Sequence, residues 1–429
     1  MNLASWLQTI QALHPTEIEL GLARVRQVAG RMGLKRPAPK VITVAGTNGK
    51  GSCVAFLDAL LRAAGYRVGT YTSPHIHCYN ERVHLHGVMV SDAQLVSSFE
   101  AIDAARGEIS LTYFEFGTLS ALYLMEAAEL DFALLEVGLG GRLDATNIVD
   151  ADLCVISQID LDHLDWLGPD RESVGREKAG IFRSEVPVVC GDPNPPASLL
   201  NYASELGAPL LQRGRDYDYQ QKADGRWEWR GQTADGRPLQ LTDLPAAHLA
   251  LDHGATALQA LGCLGLDLSC EALEQGLSGA VLPGRFELLN DPKSGRAVLF
   301  DVAHNPSAAA RLAQGLENAR RRLPESGKIA AVLAIMADKD VRGFCQALGA
   351  QVDLWYIAQV DQARAMPAKN LAQVLDALGL PRYPEVFTNP VDAYRRACAT
   401  QPLTDLVLVT GSFFTVAAVR GDLLELAAG

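Results

Sequence analysis

Short apolar runs alternate along the chain with stretches in which apolar positions recur at helical spacing. In the first part the runs Val41–Ala45, Val68–Tyr71, Phe132–Val137, Leu153–Ile159 and Val186–Cys190 predict strands. Helical patterns lie between them, from Cys53 to Ala64 for example, so the series predicts α/β architecture with a mostly parallel sheet. Met1 to Leu13 reads as an amphipathic helix with Trp6, Leu7, Ile10 and Leu13 on one face. Asp216 to Gly231 departs from the rhythm. Two alternating stretches flank Ala223-Asp224-Gly225, which predicts a β-hairpin excursion in which Trp227 and Trp229 serve packing.

A helix is expected from about His248 to Leu264, and Leu282-Pro283-Gly284 then breaks the pattern. A second βα series follows: Ala297–Val302, Ile329–Ile335, Leu354–Ala358, Glu385–Thr388 and Leu406–Thr410. The expected division is a first domain over 1–283, a linker over 284–292 and a smaller Rossmann-like α/β domain over 293–429. Two such lobes with a cleft between them suit an enzyme that joins a nucleotide to other substrates.

Composition narrows the function classes. Net charge is −12 with no basic run, which opposes nucleic acid and anionic membrane as partners. Any anionic substrate must be held by locally placed cations. No stretch approaches the apolar length of a transmembrane helix, and the start lacks a signal-peptide pattern, so a cytoplasmic address is expected. The eight cysteines are scattered without a C-x-x-C pair and read as reduced thiols, not zinc ligands or a disulfide frame.

Candidate chemistry concentrates where strands end. Gly46-Thr47-Asn48-Gly49-Lys50-Gly51-Ser52 joins the strand Val41–Ala45 to a helix, as a triphosphate cradle requires. Glycines let several N–H groups face one centre; Lys50 reaches terminal phosphates and Ser52 holds Mg²⁺. Gly51, between Lys50 and Ser52, departs from the standard G-x-x-x-x-G-K-[ST] spacing. Ser73 follows the next strand, where a hydroxyl can reach a metal. Glu136 ends Phe132–Leu135 before a glycine-rich turn, a place that suits Mg²⁺ beside phosphates; its alternative is pairing with Arg142. His163 follows Leu153–Ile159 among Asp160, Asp162 and Asp165 and is either a metal ligand or a surface residue. Lys178 could neutralise phosphate charge or, if burial depresses its pKa, react with CO₂ to form a carbamate; the pattern leaves both open. In the second lobe Asp301, His304, the run Met336 to Asp340, and Ser412 occupy equivalent strand exits, as ligand contacts or as helix caps.

These residues together resemble the folylpolyglutamate synthase family of the Mur-ligase superfamily. The likeness runs through Leu3-Ala-Ser-Trp-Leu7, Gly46 to Ser52, Leu111-Thr-Tyr-Phe-Glu115, Leu135 to Asn147, Asp162 to Arg183, Leu282 to Phe286, Asp301 to Pro306 and Gly411-Ser-Phe413. It implies a Mur-ligase-like P-loop ATPase domain followed by a ligase domain. It also implies an ATP- and Mg²⁺-dependent ligase, with two metal sites, that adds L-glutamate to dihydropteroate and further glutamates to reduced folates through an acyl phosphate. By the same resemblance Thr47, Asn48, Gly49, Lys50, Gly51 and Ser52 contact the phosphates, and Ser52, Ser73, Glu136 and His163 hold Mg²⁺. Lys178 matches the family's carbamylated lysine; Arg285 and Asp301 match nucleotide-contacting positions. Glu19, Leu20, Gly21, Leu22, Thr112, Tyr113, Phe114, Glu115, Leu143, Asp144 and Ala145 build the pterin site, with Phe114 stacked on the ring and Glu115 accepting its N–H groups. His304 and Ser412 lie near the incoming glutamate or the acyl phosphate, with Lys50, Lys178, His304 and Asp301 as the catalytic set. A departure falls at His253-Gly254-Ala255-Thr256-Ala257-Leu258, where the family usually reads Asn-Ala-Ala-Thr-Ala-Leu beside the adenine.

A monomer is expected. Three other readings compete: a synthase confined to folate extension, a peptidoglycan Mur ligase, and a nucleotide-dependent switch without ligase activity. The segment Leu111 to Glu115 and the start Leu3 to Leu7 favour the dual activity, little room remains before Val41 for a UDP-binding front domain, and the loaded exits of the second lobe argue against a switch.

Overall fold

The computed structural model describes residues 1–16 and 18–428. They form two compact units, Met1–Val281 and Leu282–Gly429. The first is built on a sheet of eight strands: β1 (Lys40–Ala45), β2 (Val68–Tyr71), β3 (Val83–Leu85), β4 (Val88–Met89), β5 (Phe132–Glu136), β6 (Leu153–Ile156), β7 (Val188–Cys190) and β8 (Leu210–Gln212). Their order is β4-β3-β2-β5-β1-β6-β7-β8. β3 pairs antiparallel with both β2 and β4, and the remaining pairings are parallel. β1 therefore lies where the chain switches sides, with β5 on one flank and β6 on the other. In such sheets this is where ligands bind, beyond the carboxyl ends of the strands.

Val41, Ile42, Val44 and Ala45 of β1 are fully buried, which explains the unbroken apolar run. The opening helix, Leu3–Leu13, is capped by Asn2, which accepts from the Ser5 N–H at 2.9 Å. It buries Trp6 against Phe99 and Phe116, with ring centroids 6.1 and 6.5 Å apart, and Ile10, Leu7 and Leu13 pack on the same cluster. The excursion extends beyond a hairpin: β9 (Asp218–Gln221), β10 (Trp227–Gln232) and β11 (Pro238–Leu244) form a three-stranded antiparallel sheet. Trp227 and Trp229 are buried there, donating to the carbonyls of Pro245 (2.7 Å) and Ala255 (3.1 Å).

The second unit carries β12 (Glu287–Asn290), β13 (Ala297–Phe300), β14 (Ile329–Leu333), β15 (Leu354–Ala358), β16 (Arg382–Phe387) and β17 (Leu406–Thr410). The order is β12-β13-β17-β14-β15-β16, parallel except for β12. The segment 284–292, expected as a linker, thus supplies an edge strand, and Glu287 is anchored to Arg420 at 2.8 Å. Four residues alternating between exposed and half-buried positions are too short a signal to stand out in the sequence. Among the described residues no cysteine forms a disulfide. Among the described residues no helix is long and apolar enough to cross a membrane.

Candidate active site

The parallel order β2-β5-β1-β6 brings the predicted strand exits of the first unit to one sheet edge. After β1 the chain turns through residues 46–49 into the helix Lys50–Ala63. Gly49 caps this helix at φ 85°, a left-handed conformation that glycine adopts without cost. A Cβ there would also lie 2.0 Å from Cε1 of His253, so the buried imidazole packs directly on the loop. His253 Nδ1 is 3.7 Å from the thiol of Cys53. The loop is laced to the exit of β6: the Thr47 N–H donates to the Gln158 carbonyl at 2.6 Å, and Thr47 Oγ1 donates to the Asp160 carbonyl at 2.9 Å. Ser157 Oγ donates to the Asn48 carbonyl at 2.7 Å. Gly51 and the buried Ser52 occupy the first turn of the helix.

Two ammonium groups converge on one atom of this loop. Lys50 Nζ donates to the Gly46 carbonyl at 3.1 Å and to that of Thr47 at 3.2 Å. Lys178, from the helix Arg171–Ala179, donates to the same Gly46 carbonyl at 2.9 Å. Lys178 is buried, and burial together with the Lys50 charge lowers its pKa to about 7.

Beyond β2, the Ser73 N–H donates to Glu136 Oε2 at 3.1 Å, which places the second hydroxyl residue beside the buried carboxylate that ends β5. Arg142 pairs with Glu177 at 2.8 Å. His163 stands at φ 52° ahead of the short helix Leu164–Leu167, its side chain 46% exposed and its ring 4.0 Å from Asp162. Among the described residues no group of three His, Cys, Asp or Glu is arranged for a metal. The predicted set contains two hydroxyls, one carboxylate and one imidazole. A hard cation bound through these, phosphate oxygens and water fits that donor chemistry; a cage made by protein alone does not.

The expected pterin residues gather around the helix Tyr113–Glu126 and the turn after β5. Phe114 covers Gly138, where a Cβ would meet the ring at 2.5 Å, and lies 5.9 Å from the Tyr71 ring. Glu115 is already engaged on both oxygens: Oε2 accepts from the Thr112 N–H at 2.8 Å in a capping box, and Oε1 accepts from Arg24 at 3.2 Å. Arg24 also holds Glu19, which takes a further contact from His14 at 2.8 Å, so the segment Glu19 to Leu22 is tied to Glu115 through one guanidinium. Asp144 is buried and accepts from the N–H groups of Gly138 (3.0 Å), Leu139 (2.9 Å) and Thr146 (3.0 Å). Burial raises its pKa. It shapes the turn that carries Leu143 and Ala145.

Sequence reasoning passed over Arg82 and Tyr71. Arg82 closes a short 3₁₀ turn, Tyr79–Arg82, and is buried, with Nε donating to His75 Nδ1 at 3.0 Å. Burial and the neighbouring guanidinium lower the His75 pKa to about 4. A Glu-Arg pair in a polar stretch reads as solvated surface, so no sequence signal marked it.

In the second unit Asp301 stands half-buried at the exit of β13. Its Oδ2 accepts from the Phe286 N–H at 2.9 Å and its Oδ1 from the Ala303 N–H at 2.8 Å. Burial raises its pKa against the opposing charge of Arg285. The Arg285 guanidinium stacks 4.8 Å from the Phe413 ring, and His304 lies 6.1 Å from the same ring. His304 Nδ1 is 2.9 Å from the Val302 carbonyl, a contact that places the proton on Nδ1 and makes Nε2 the acceptor. The buried Ser412 hydroxyl accepts from the Thr415 N–H at 3.1 Å. In the run Met336 to Asp340, Asp340 caps the helix Val341–Gly349.

Residues 44–207 match the Mur ligase middle domain, and residues 284–413 match the Mur ligase glutamate ligase domain. The dihydrofolate synthase/folylpolyglutamate synthase of Escherichia coli K12 is 47% identical over 97% of this chain and 94% of its own length. The chain belongs to the dihydrofolate synthase/folylpolyglutamate synthase family. Its fold is that of Escherichia coli FolC in complex with DHPP and ADP, with a TM-score of 0.91, 46% identity and coverage of 100% and 99% of the two chains. A bifunctional folylpolyglutamate synthase/dihydrofolate synthase with Mn, AMPPNP and L-glutamate bound superimposes with a TM-score of 0.88 at 47% identity, over 99% and 98% of the chains. As a member of this family, the chain is an ATP-dependent, amide-forming ligase.

Proposed function

We propose that this ligase condenses L-glutamate with dihydropteroate to give dihydrofolate and then adds glutamates to reduced folates, with ADP and phosphate released at each step. The observation that carries the reading is the convergence of Lys50 and Lys178 on the Gly46 carbonyl. The Lys50 ammonium at the start of the helix Lys50–Ala63 makes a site for a polyanion, and its charge, together with burial, keeps the neighbouring Lys178 amine partly neutral.

In the proposed reaction a carboxylate oxygen attacks the γ-phosphorus of ATP, and the bond to ADP breaks. The amine of glutamate then attacks the acyl carbon, phosphate leaves, and the nitrogen loses a proton. Thr47 to Ser52 hold the phosphates, with Lys50 on the transferring group. Ser52, Ser73, Glu136 and His163 would hold Mg²⁺ at two sites, whose chemistry is to offset the negative charge of phosphates and acid. Lys178, with its pKa near 7, has neutral amine available to add CO₂, and we assign it the carbamate role. Phe114 would stack on the pterin, with Glu19 to Leu22 and Leu143 to Ala145 around it. Glu115 and Asp144 serve mainly to hold those walls. Arg285 and Asp301 would meet the nucleotide. His304 Nε2 would take the amine proton, with Ser412 shaping the turn beside it. The ligase is assigned as a cytoplasmic monomer.

Purified protein should release ADP only when Mg²⁺, an acid and glutamate are all present, with a product mass one glutamate above dihydropteroate. Turnover with a reduced folate but silence with dihydropteroate would select folate extension alone. ADP release that ignores glutamate would select a switch.

A further inference from the structure

We infer that Arg82 binds the carboxylate of the pterin-bearing substrate, an assignment that rests on the ligase reading above. Two arginines are buried among the described residues, Arg82 and Arg296. Arg296 is a structural clamp: its Nη groups donate to the carbonyls of Cys398, Gln401, Pro402 and Asp405 at the end of the helix Pro390–Thr400. Arg82 has no such set. Its Nε meets His75, its guanidinium lies 5.3 and 5.5 Å from the rings of Tyr79 and Tyr113, and its charge acts on the nearby Tyr71 hydroxyl. No carboxylate of the described residues pairs with it. The adjacent Glu81 turns away to accept from the N–H groups of Ile76, His77 and Cys78 at 2.7, 2.8 and 3.0 Å.

A buried guanidinium without an anion is costly, and its planar fork matches a carboxylate. Its place in the fold selects which one. The Arg82 carbonyl accepts from the Thr72 N–H at 2.9 Å, one residue before Ser73, whose own N–H meets Glu136. Tyr71, near Arg82, packs on Phe114. The guanidinium therefore stands where an acid must pass from the ring wall to the phosphate end. Arrayed between the rings of Tyr79 and Tyr113 and held by His75 Nδ1, it is oriented before the substrate arrives.

The test is binding of dihydropteroate and of its carboxamide to the full chain with ADP and Mg²⁺. Wild type is expected to prefer the acid at least tenfold. Arg82→Gln should weaken the acid roughly tenfold to a hundredfold and leave the carboxamide unchanged, the span of one charge-assisted hydrogen bond. Arg82→Lys, which keeps the charge but loses the fork, should fall between. Equal affinities in wild type, parallel weakening of both ligands, or a defect confined to L-glutamate would overturn the assignment. Should the glutamine variant not fold, an undiminished acid preference in the lysine variant overturns it equally. Failure of wild type to bind either pterin would instead remove the ligase reading itself.

Discussion

Lys50 is the residue on which the proposed chemistry turns. It lies at the first helical position with its ammonium folded onto the loop carbonyls that a triphosphate would neighbour. Lys50→Ala should lower kcat/KM for ATP about a hundredfold to a thousandfold in a coupled ADP assay, the range for one preorganised donor. Unimpaired synthesis would refute the role. Lys178 makes a different prediction. Its pKa is about 7 in the folded chain against an ordinary 10.5, so between those values the unfolded chain binds more protons and stability rises with pH. Lys178→Met removes that dependence. In CO₂-free buffer the melting temperature of wild type relative to the variant should climb from pH 7 to pH 9; a flat difference would contradict the buried amine. His253 is pressed against Gly49 and offers a ring where the family usually has an amide. Wild type should discriminate ATP from GTP less than His253→Asn does, and equal preferences in nucleotide titrations would refute this.

At the scale of elements, the capped helix Tyr113–Glu126 shows how a motif carries fold and site together. Thr112-Tyr-Phe-Glu115 was expected to form part of a pterin site, and its capping box gives Thr112 and Glu115 a structural task first. Thr112→Ala should cost about 1 kcal/mol in chemical denaturation, the usual loss for an N-cap. Gly138 shows the reverse case, a turn glycine whose absent side chain makes room for Phe114. Gly138→Val should raise KM for dihydropteroate while ATP binding stays unchanged. The strands of the parallel core were legible because burial on both faces demands continuous apolar runs. β3, β4, β8 and β12 were not, since strands of two to four residues at or beside a sheet edge carry too little pattern.

Across the whole molecule, the sheet order does what no local pattern does. β2, β5, β1 and β6 are dispersed along more than a hundred residues, and their parallel pairing assembles Ser73, Glu136, the phosphate loop and the exit to His163 on one edge. EDTA should accordingly abolish ADP release and Mg²⁺ restore it. Activity that survived chelation would remove the metal from the account. Sedimentation is expected to find one species at 46.1 kDa.

The amino-acid sequence by itself determined the α/β class, the glycine loop that joins β1 to its helix and the position of reactive side chains at strand exits. Periodicity follows from burial, and the loop's glycines follow from backbone conformation, so both are written locally. Only the tertiary structure decided which of those side chains are already spoken for. Glu115, Asp144 and Asp301 spend their oxygens on backbone amides and Arg24, whereas Arg82, unremarkable in the sequence, is buried without a carboxylate partner among the described residues. The reason is physical: a hydrogen-bond partner is chosen by proximity in space, and burial gives a charge its meaning only after the chain has closed around it.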